Sequence, residues 1–256
     1  MRVLAIIPAR YASTRFPGKP LAELGGESII SRVYHRVRRT EGIDDVIIAT
    51  DDENICDHAE SFADEGDVML TSDQHRSGTD RCGEVVDRLG RHGDSYDIVI
   101  NVQGDEPFVE PDQLQTLIAL FANPDVQIAT LVTHFASTEE LLSPNNVKVV
   151  TTSEGRALYF SRQPIPYRRD IAPEHWLDQG RYNKHVGIYA FRGNVLPELC
   201  QLESSSLEDA ERLEQLRWLE AGYAIYVAQT AHANIGIDTP ADLAAAEIYL
   251  KQNKTL

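Results

Sequence analysis

The loop after the first apolar run gathers cations in the part of the chain that has no acidic residue. The segment IPARYASTRFPGKPL (residues 7–21) carries Arg10, Arg15 and Lys19, and no carboxylate precedes position 23. It also supplies the Ser13 hydroxyl and backbone N–H groups next to a glycine. Planar guanidinium groups, a lysine ammonium and backbone N–H groups are what linked phosphates bind. The loop therefore predicts a phosphate site, although a solvated basic surface loop would have the same composition.

This loop contrasts with the charge of the whole chain. The 256 residues contain 40 Asp and Glu against 24 Lys and Arg, a formal net charge of −16 at pH 7. Such a field repels nucleic acids and anionic membranes, so both are disfavoured as partners. We expect the local cations to bind a small anionic ligand. The loop matches neither the G-x-G-x-x-G nor the Walker phosphate motif.

Two aspartates follow predicted strands and could hold a divalent metal ion. Asp105 comes after the apolar run of DIVINVQGDEPFV, and Asp238 follows the apolar start of IGIDTPADL. Mg²⁺ usually takes one or two carboxylates together with substrate phosphates. Each aspartate also has an ordinary explanation, Asp105 in a turn and Asp238 as a helix cap. Thr239 can serve as that cap, which would leave Asp238 for the metal.

The segment SDQHRSGTDRCGEV could contact a nucleotide base. Ser77, Gly78 and Arg81 offer a hydroxyl, a close approach of the backbone and a guanidinium. The ordinary alternative is that a serine or threonine of this segment caps the helix that follows. Asp51 and Asp52, after the apolar run VIIAT, are interpreted as the start of a helix and not as a site.

A further polar group lies in the second half of the chain. It consists of Arg162 in YFSRQPIP, Lys184 and His185 in NKHVGIYAF, and Glu214 and Gln215 in RLEQLRWL. The cations could bind an acidic substrate, but a histidine at a strand start is more often structural. The Glu-Gln pair could simply be solvated on a helix. No Ser-His-Asp, His-x-x-x-His or G-x-S-x-G arrangement accompanies this group.

Alternating strands and helices position the residues of the first half. Short β-branched runs predict strands at residues 3–7, 46–50, 68–71 and 98–102, and apolar periodicity predicts helices at 28–39 and 111–122. This alternation is typical of βαβ units around a parallel sheet. Ligands bind outside the carboxyl ends of such strands, so the cationic loop and Asp105 are expected at one edge.

The second half has a different pattern. Strands are predicted at residues 127–134, 147–152, 157–161 and 185–191, with a hairpin turn at 153–155 and an irregular excursion at 164–183. A helix is predicted at 206–221, then a strand at 234–238 and a last helix at 240–251 capped by Thr239 and Asp242. No linker or repeat interrupts the chain, so one domain with a mixed second half is expected.

Cysteine content and apolar runs indicate the compartment. Cys56, Cys82 and Cys200 are widely separated and odd in number, which disfavours a disulfide framework and a cysteine-rich metal site. No apolar run reaches the ~18 residues of a membrane helix, and the run before Pro8 is too short for a signal peptide. The sequence therefore predicts a cytoplasmic protein.

Seven stretches, in order from residue 6 to residue 243, resemble one enzyme family. They are IPARYASTRFPGKPL, INVQGDEP, PNNVKVV, ALYFSRQPIP, KHVGIYAFR, LEQLRWLE and DTPADL. Together they are similar to the 3-deoxy-manno-octulosonate cytidylyltransferases, also called CMP-Kdo synthetases. One such loop would be weak evidence, whereas seven in order span essentially the whole chain.

The resemblance implies an activity, a fold and a set of partners. The family joins CTP to the sugar acid Kdo with Mg²⁺ as cofactor, releases pyrophosphate and supplies CMP-Kdo for lipopolysaccharide synthesis. Its fold is a three-layer α/β nucleotidyltransferase fold with a central mixed, mainly parallel sheet and a β excursion in the second half. The resemblance also implies a homodimer and a single domain. That domain would have a nucleotide part at about 1–122, a sugar and dimer part at about 123–230 and a C-terminal metal strand and helix at about 231–256.

The resemblance also assigns roles to residues. The triphosphate loop corresponds to Arg10, Ser13, Arg15 and Lys19, of which Arg10 and Lys19 are counted as catalytic. The metal ligands, also catalytic, correspond to Asp105 and Asp238, and Asp105 belongs to the nucleotide site as well. The base-contacting loop corresponds to Ser77, Gly78 and Arg81. The sugar-acid site corresponds to Gln103, Arg162, His185, Tyr189, Glu214 and Gln215, with Arg162 and His185 expected at the Kdo carboxylate and the Glu-Gln pair at sugar hydroxyls.

Alternatives remain at this stage. The match is looser in YRRDIAPEHWLDQGRYN and QLESSSLEDAE, so an enzyme acting on 8-amino-Kdo or another ulosonic acid stays open. A glycosyltransferase of related fold would ordinarily carry an Asp-x-Asp motif, which GDEP lacks. A non-catalytic module that binds nucleotide or sugar acid would not need both the loop cations and the two aspartates. No side-chain general base is evident, and the metal is expected to activate the attacking hydroxyl.

Overall fold

The structure, a computed structural model, describes residues 1–180, 182–232 and 235–252. Its strands are β1 (Val3–Ala9), β2 (Glu23–Leu24), β3 (Glu27–Ser28), β4 (Asp45–Thr50), β5 (Val68–Leu70), β6 (Ile98–Asn101), β7 (Ile128–His134), β8 (Lys148–Thr151), β9 (Ala157–Ser161), β10 (Asn183–Arg192) and β11 (Ile225–Gln229). Its helices are α1 (Ile29–Arg38), α2 (Glu53–Glu60), α3 (Gly78–Arg91), α4 (Pro111–Leu120), α5 (Thr138–Leu142), α6 (Trp176–Gln179), α7 (Leu196–Cys200), α8 (Ser206–Glu211), α9 (Gln215–Glu220) and α10 (Pro240–Gln252). None of the helices in this described part of the chain is long and apolar enough to cross a membrane.

The chain divides into two compact units. The first consists of Met1–Gln115 and Asn234–Leu256, and the second of Thr116–Ala233. The first unit is therefore built from both ends of the chain, with the second unit inserted between them in sequence. The predicted assignment of nucleotide, sugar and metal parts to stretches of the sequence stays a prediction.

A parallel sheet forms the centre of the first unit. Its strand order is β6-β1-β4-β5, with β1 paired to both β6 and β4. β1 is buried along nearly its whole length, as expected for an apolar strand of a parallel sheet. The four strands predicted in the first half are confirmed within two residues at each end. The predicted helices 28–39 and 111–122 correspond to α1 and α4, and Ser28 caps α1 by accepting a hydrogen bond from Ser31 N.

A glycine lets two loops meet at the carboxyl edge of this sheet. β1 and β6 run parallel, so the loops that follow Ala9 and Asn101 leave at the same edge. A Cβ atom on Gly104 would lie 2.8 Å from Pro8 O, closer than side-chain carbons approach backbone oxygens. Only glycine therefore allows the loop after β6 to pack against the end of β1, which places Asp105 next to the cationic loop.

The last helix packs within the first unit and fixes the position of Asp238. Leu24, Phe108, Ile237 and Ala246 form a buried apolar cluster that joins the β2–β3 hairpin, the loop after β6 and helix α10. Ile237 N donates a hydrogen bond of 3.0 Å to Asp105 O. The predicted strand at 234–238 is wrong for residues 235–238, which form no strand, and Asn234 lies outside the described residues. The hydrogen bond from Ile237 N and side-chain packing hold residues 235–238, where strand pairing was expected.

Antiparallel pairing dominates the second unit. β10 pairs antiparallel with β7 and β8, β8 with β9, and only β11 runs parallel to β7. The predicted β8–β9 hairpin is confirmed, with Gly155 at φ 80° in its turn. The excursion at 164–183 contains one turn of 3-10 helix (Pro173–His175) and α6, whose Trp176 packs in a buried cluster with Phe135 and Leu141.

The predicted helix at 206–221 is wrong in one respect, because it is two helices. α8 ends where Arg212 adopts a left-handed conformation (φ 54°, ψ 48°), and α9 begins three residues later. Arg162 causes this break to be stable, since its Nε donates to Glu211 O (2.6 Å) and its Nη2 to Arg212 O (3.2 Å). Carbonyl groups that would otherwise continue the helix are thereby satisfied from outside it.

The hairpin turn between β2 and β3 gives a matched pair of stability tests. Gly25 and Gly26 both have positive φ, 64° and 83°, so alanine at either costs about 1–2 kcal/mol of backbone strain. A Cβ on Gly25 would also overlap Leu250 Cδ2 of α10, whereas one on Gly26 meets nothing within 4 Å. We expect Gly25→Ala to lose roughly 1–3 kcal/mol more than Gly26→Ala in urea unfolding. Equal losses would contradict the packing of α10 on this hairpin.

Candidate active site

One cavity of the first unit brings together most of the predicted site. Its volume is about 410 Å³. The residues predicted for the triphosphate, the base and the metal all line it: Arg10, Ser13, Arg15, Lys19, Ser77, Gly78, Arg81, Asp105 and Asp238. Gln103, predicted for the sugar-acid group, lines the same cavity, and so does His75, which the sequence interpretation left out. The loops after β1, β5 and β6, the first turn of α3 and the segment before α10 supply these residues.

A lysine ammonium lies between the two predicted metal ligands. Lys19 Nζ is 2.6 Å from Asp105 Oδ2 and 3.3 Å from Asp238 Oδ1. The Lys19 side chain is only 12% exposed, so these ion pairs are less screened than those at the surface. Arg15 Nη2 adds a contact of 3.1 Å to Asp238 Oδ2 from a more exposed position. Cations and carboxylates of the site thus compensate one another.

The capping expected at the start of α10 is confirmed, and it leaves Asp238 to the cavity. Thr239 Oγ1 accepts a hydrogen bond from Asp242 N, and Asp242 Oδ2 accepts from Thr239 N and Oγ1. Burial opposes ionisation of Asp242, but these hydrogen bonds outweigh it and hold the pKa of its carboxyl below the usual value. Thr239 and Asp242 satisfy the helix start, so the Asp238 carboxylate pairs with Arg15 and Lys19 instead.

The donor set of the cavity fits a hard divalent cation. Asp105 and Asp238 both reach the single position of Lys19 Nζ, so one cation can contact both carboxylates. Their oxygen ligands suit Mg²⁺. Among the residues that the structure describes, no group of three or more His, Cys, Asp or Glu could hold a metal ion on its own. Two carboxylates alone are what Mg²⁺ uses when substrate phosphates complete its coordination.

The segment before α3 is held by the helix that it precedes. Ser77 is the N-cap of α3 and accepts from Asp80 N at 3.1 Å, so the capping alternative is confirmed. Arg81 is buried, and its guanidinium donates to Thr71 Oγ1 and, at 2.8 Å, to Asp51 Oδ2. Arg81 lines the cavity, but these bonds make its guanidinium a support for the segment that precedes α3. Asp51 was not expected to take part in a site.

A carboxylate one turn further along α3 holds the same segment. Glu84 Oε2 accepts a hydrogen bond from Ser72 N at 2.9 Å and one from His75 Nε2, and Glu84 Oε1 pairs with Arg88. Burial raises the pKa of Glu84, but the bonds from His75, Ser72 N and Arg88 outweigh it and lower the pKa overall. The sequence contains a signal for this support, because Arg81 and Glu84 are three residues apart and so lie on one face of α3.

Arg162, predicted at the sugar carboxylate, is occupied by backbone carbonyls of the second unit. Besides its two bonds at the α8–α9 break, its Nη1 donates to Pro144 O at 3.0 Å. Lys148, buried beside it, donates at 2.7 Å to both Ser143 O and Arg162 O. Burial, with the charge of Arg162, lowers the pKa of Lys148 to about 8. These two cations position the chain just before Glu214.

His185, also predicted at the sugar carboxylate, is a neutral ring in this structure. Burial lowers the pKa of His185 to about 3. Its Nε2 is 2.9 Å from Thr130 Oγ1, whose own hydrogen goes to Ile188 O at 2.8 Å. Thr130 Oγ1 therefore accepts from His185 Nε2–H, and His185 Nδ1 is the acceptor of the ring. An acceptor nitrogen suits a sugar hydroxyl better than a carboxylate, and the role of His185 at the sugar carboxylate stays a prediction.

Two buried donors adjoin this histidine. The rings of His185 and Tyr189 lie 5.3 Å apart, and those of Tyr189 and Trp218 lie 5.1 Å apart. The Tyr189 hydroxyl and Trp218 Nε1 are both buried without a hydrogen-bond partner in the structure. Burial, with the charge of Glu214, raises the pKa of Tyr189 well above its usual value. His185, Tyr189 and Glu214 are thus brought together as predicted, and Trp218 is an addition to them.

Gln215 and Lys184 also belong to the polar group predicted in the second half of the chain. Gln215 is buried as the first residue of α9. Lys184 forms an ion pair with Glu140, so it does not act as an isolated cation for an acidic substrate.

Comparison with known proteins identifies the family. The profile of the cytidylyltransferase family matches residues 4–228. The 3-deoxy-manno-octulosonate cytidylyltransferase of Parabacteroides distasonis is 50% identical over 254 residues, covering 98% of both chains. That of Bacteroides thetaiotaomicron is 52% identical over 254 residues, covering 98% of this chain and 99% of the relative. This chain belongs to the 3-deoxy-manno-octulosonate cytidylyltransferase family.

A solved structure agrees with this assignment. The structure of a CMP:2-keto-3-deoxy-manno-octonic acid synthetase complexed with CTP matches 99% of this chain and 100% of its own, at 40% identity and a TM-score of 0.88. The predicted fold class, an α/β nucleotidyltransferase fold with a mixed, mainly parallel sheet, is confirmed. The cytidylyltransferase is accordingly a nucleotidyltransferase enzyme.

His185 makes the stability of this cytidylyltransferase depend on pH. The folded ring has a pKa of about 3 against 6.5 for an ordinary histidine, so the unfolded chain binds more protons between these values. Stability therefore falls as the pH drops from 6.5 towards 3. We expect His185→Gln to lose less stability than the wild type between pH 7 and pH 5, by on the order of 1–2 kcal/mol in urea unfolding. His175→Gln, at an exposed histidine, controls for the loss of an imidazole. The same pH dependence in His185→Gln and wild type would contradict a buried neutral ring.

Proposed function

We propose that this enzyme transfers the cytidylyl group of CTP to the sugar acid Kdo, forming CMP-Kdo and pyrophosphate. The observation that carries the proposal is the cavity in which Lys19 bridges Asp105 and Asp238 beside the cationic loop. Membership of the 3-deoxy-manno-octulosonate cytidylyltransferase family supports the substrates. The anomeric hydroxyl of Kdo attacks the α-phosphorus of CTP, the bond to the β-phosphate oxygen breaks, and the hydroxyl proton is released.

The cations of the opening loop bind and stabilise the leaving group. Arg10, Arg15 and Lys19 line the cavity from one loop, so they can contact consecutive phosphates. Charge accumulates on pyrophosphate in the transition state, and prepositioned cations lower the energy of that charge. An ammonium has three N–H donors, so Lys19 can donate to a phosphate oxygen as well as to a carboxylate.

Asp105 and Asp238 are proposed to hold Mg²⁺ in the working enzyme. Both carboxylates are within reach of one cation position, and neither is used for capping or by the core. A bound Mg²⁺ ion supplies charge neutralisation at the α-phosphate and acidifies the attacking hydroxyl. Because the two aspartates are too few to complete its coordination, the ion is expected to bind together with the nucleotide.

The sugar acid is proposed to contact residues of the second unit. His185 Nδ1 accepts a hydrogen bond from a hydroxyl, whereas the Tyr189 hydroxyl is a donor. Glu214 and Gln215 bind further hydroxyls. Arg162 acts mainly as a positioning residue for the start of α9, since three backbone carbonyls engage its guanidinium.

The proposed function includes a compartment, a pathway and an oligomeric state. We infer that the enzyme works in the cytoplasm, supplies CMP-Kdo to lipopolysaccharide synthesis and forms a homodimer. The three separate free cysteines, Cys56, Cys82 and Cys200, suit a reducing compartment.

The first experiment measures pyrophosphate release from CTP and Mg²⁺ with Kdo, with 8-amino-Kdo and without an acceptor. Release with Kdo alone is the expected result. A preference for 8-amino-Kdo would keep the nucleotide chemistry and replace the acceptor. No release with either sugar, from folded protein that binds CTP, would favour the non-catalytic binding module.

Asp105→Asn should abolish turnover without unfolding the protein. The substitution removes a metal ligand of similar size to its replacement and leaves the apolar core untouched. We expect pyrophosphate release to fall by at least about a hundredfold and Mn²⁺ binding in the presence of CTP, followed by paramagnetic resonance, to weaken. Glu65→Gln, at an exposed carboxylate, is the control for a loss of one negative charge. Wild-type turnover in Asp105→Asn would remove the aspartate from the metal site.

A further inference from the structure

The two carboxylates proposed to hold Mg²⁺ are already paired with cations of the opening loop. Lys19 Nζ lies 2.6 Å from Asp105 Oδ2 and 3.3 Å from Asp238 Oδ1. Arg15 Nη2 lies 3.1 Å from the other oxygen of Asp238, Oδ2. Mg²⁺ binds carboxylate oxygens at about 2.0–2.1 Å, so an ion on Asp238 would lie directly against one of these cations. Like charges at that separation repel each other strongly, and a metal ion and the ammonium therefore compete for the same oxygens.

The charges of this group cancel one another. Asp105 and Asp238 carry two negative charges, and Lys19 and Arg15 carry two positive charges. The attraction of the carboxylates for a divalent cation is thus offset by repulsion from the two neighbouring cations. Lys19 contributes more of this repulsion, because its side chain is 12% exposed and that of Arg15 is 64% exposed, so solvent and salt screen Lys19 less.

The Lys19 ammonium can leave the carboxylates without a change in the backbone. Lys19 N donates to Phe16 O at 3.3 Å, Ala22 N donates to Lys19 O at 3.1 Å, and Pro20 is buried, so the backbone at this position is held on both sides. The side chain is a flexible four-carbon stem with a rotatable ammonium at its end. Lys19 also lines the cavity with the loop proposed to bind the triphosphate, so bound phosphates would offer its ammonium a second anion.

We propose that Lys19 is an exchangeable counter-ion. In the free enzyme its ammonium takes the cation position between Asp105 and Asp238, and on nucleotide binding it transfers to a phosphate oxygen and so leaves both carboxylates to the divalent ion. Metal binding then depends on the nucleotide through Lys19. This inference rests on the proposed function, because it takes CTP as the nucleotide and the two aspartates as the metal ligands.

Mn²⁺ binding to the nucleotide-free enzyme, followed by paramagnetic resonance, tests the exchange. We expect Lys19→Met to bind Mn²⁺ at least about tenfold more tightly than the wild type, because the repulsion of the ammonium is lost. Arg10→Gln removes a cation from the same loop and leaves both ion pairs of Lys19 in place, so its affinity for Mn²⁺ should stay near that of the wild type. Arg15→Gln removes the more exposed pair and should give a smaller gain than Lys19→Met.

CTP binding without metal, measured by calorimetry in EDTA, gives the second readout. Lys19→Met should bind CTP about tenfold more weakly, because a charged hydrogen bond to a phosphate oxygen is lost. A substitution that merely loosened the site would weaken the binding of Mn²⁺ and of CTP together. A gain for the metal ion with a loss for the nucleotide is therefore specific to a cation that exchanges between them.

Two further measurements cover the case in which Lys19→Met does not fold. Lys19→Gln also removes the charge, but its amide can still donate to one of the carboxylates, and it should show the same two changes. In the wild type, Mn²⁺ should bind weakly without nucleotide. Tight Mn²⁺ binding to the nucleotide-free wild type would contradict the exchange whatever the variants show.

The outcomes separate the exchange from the proposed function. Pyrophosphate release by the wild type, with no gain in Mn²⁺ binding in folded Lys19→Met or Lys19→Gln, would overturn the exchange alone. An equal gain in Arg10→Gln would do the same, since it would reduce the effect to the charge of the loop. So would a gain that persists when Asp105→Asn is added to Lys19→Met. No pyrophosphate release by the wild type would overturn the proposed function, and the Mn²⁺ and CTP titrations would still decide for or against the exchange.

Discussion

The ion pair of Lys19 with Asp105 and Asp238 is the interaction on which the nucleotide side of the structure depends. Two carboxylates that face one cavity repel each other. The Lys19 ammonium removes the repulsion and joins three segments, the loop after β1, the loop after β6 and the residues before α10. Gly104 and the apolar cluster around Ile237 bring the carboxylates close enough for this to occur. Charge compensation and apolar packing therefore act on the same three segments.

Several cations of this protein bind backbone carbonyls of the protein itself. Lys148 and Arg162 hold the loop at Ser143 and the break between α8 and α9. Arg81 holds the segment that leads to α3. A guanidinium with several donors in a plane can join chain segments that have no regular pairing. Irregular segments in each unit thus gain a fixed conformation without regular backbone pairing.

Much of this architecture follows from local patterns in the sequence. The β-branched runs, the helical periodicity and the capping residue Thr239 predict elements that the structure confirms, because each depends on neighbours within a few residues. The break at Arg212 was not predictable in this way, since Arg162 stabilises it from 50 positions away. The same reason explains the missed links of Asp51 with Arg81 and of Glu84 with His75. Residue types indicated the cavity of the first unit correctly, but they did not indicate which cations contact a ligand and which support a loop.

The first unit contains residues from both ends of the chain, so it is completed only at the end of translation. Lys19 and Asp238 are 219 positions apart. At ~5–20 residues per second, the ribosome adds the second of them roughly 10–45 seconds after the first. During that interval Leu24 and Phe108 lack the apolar cover of Ile237 and Ala246. A nascent chain that has completed every strand of the parallel sheet thus still exposes this apolar surface to water and to other chains.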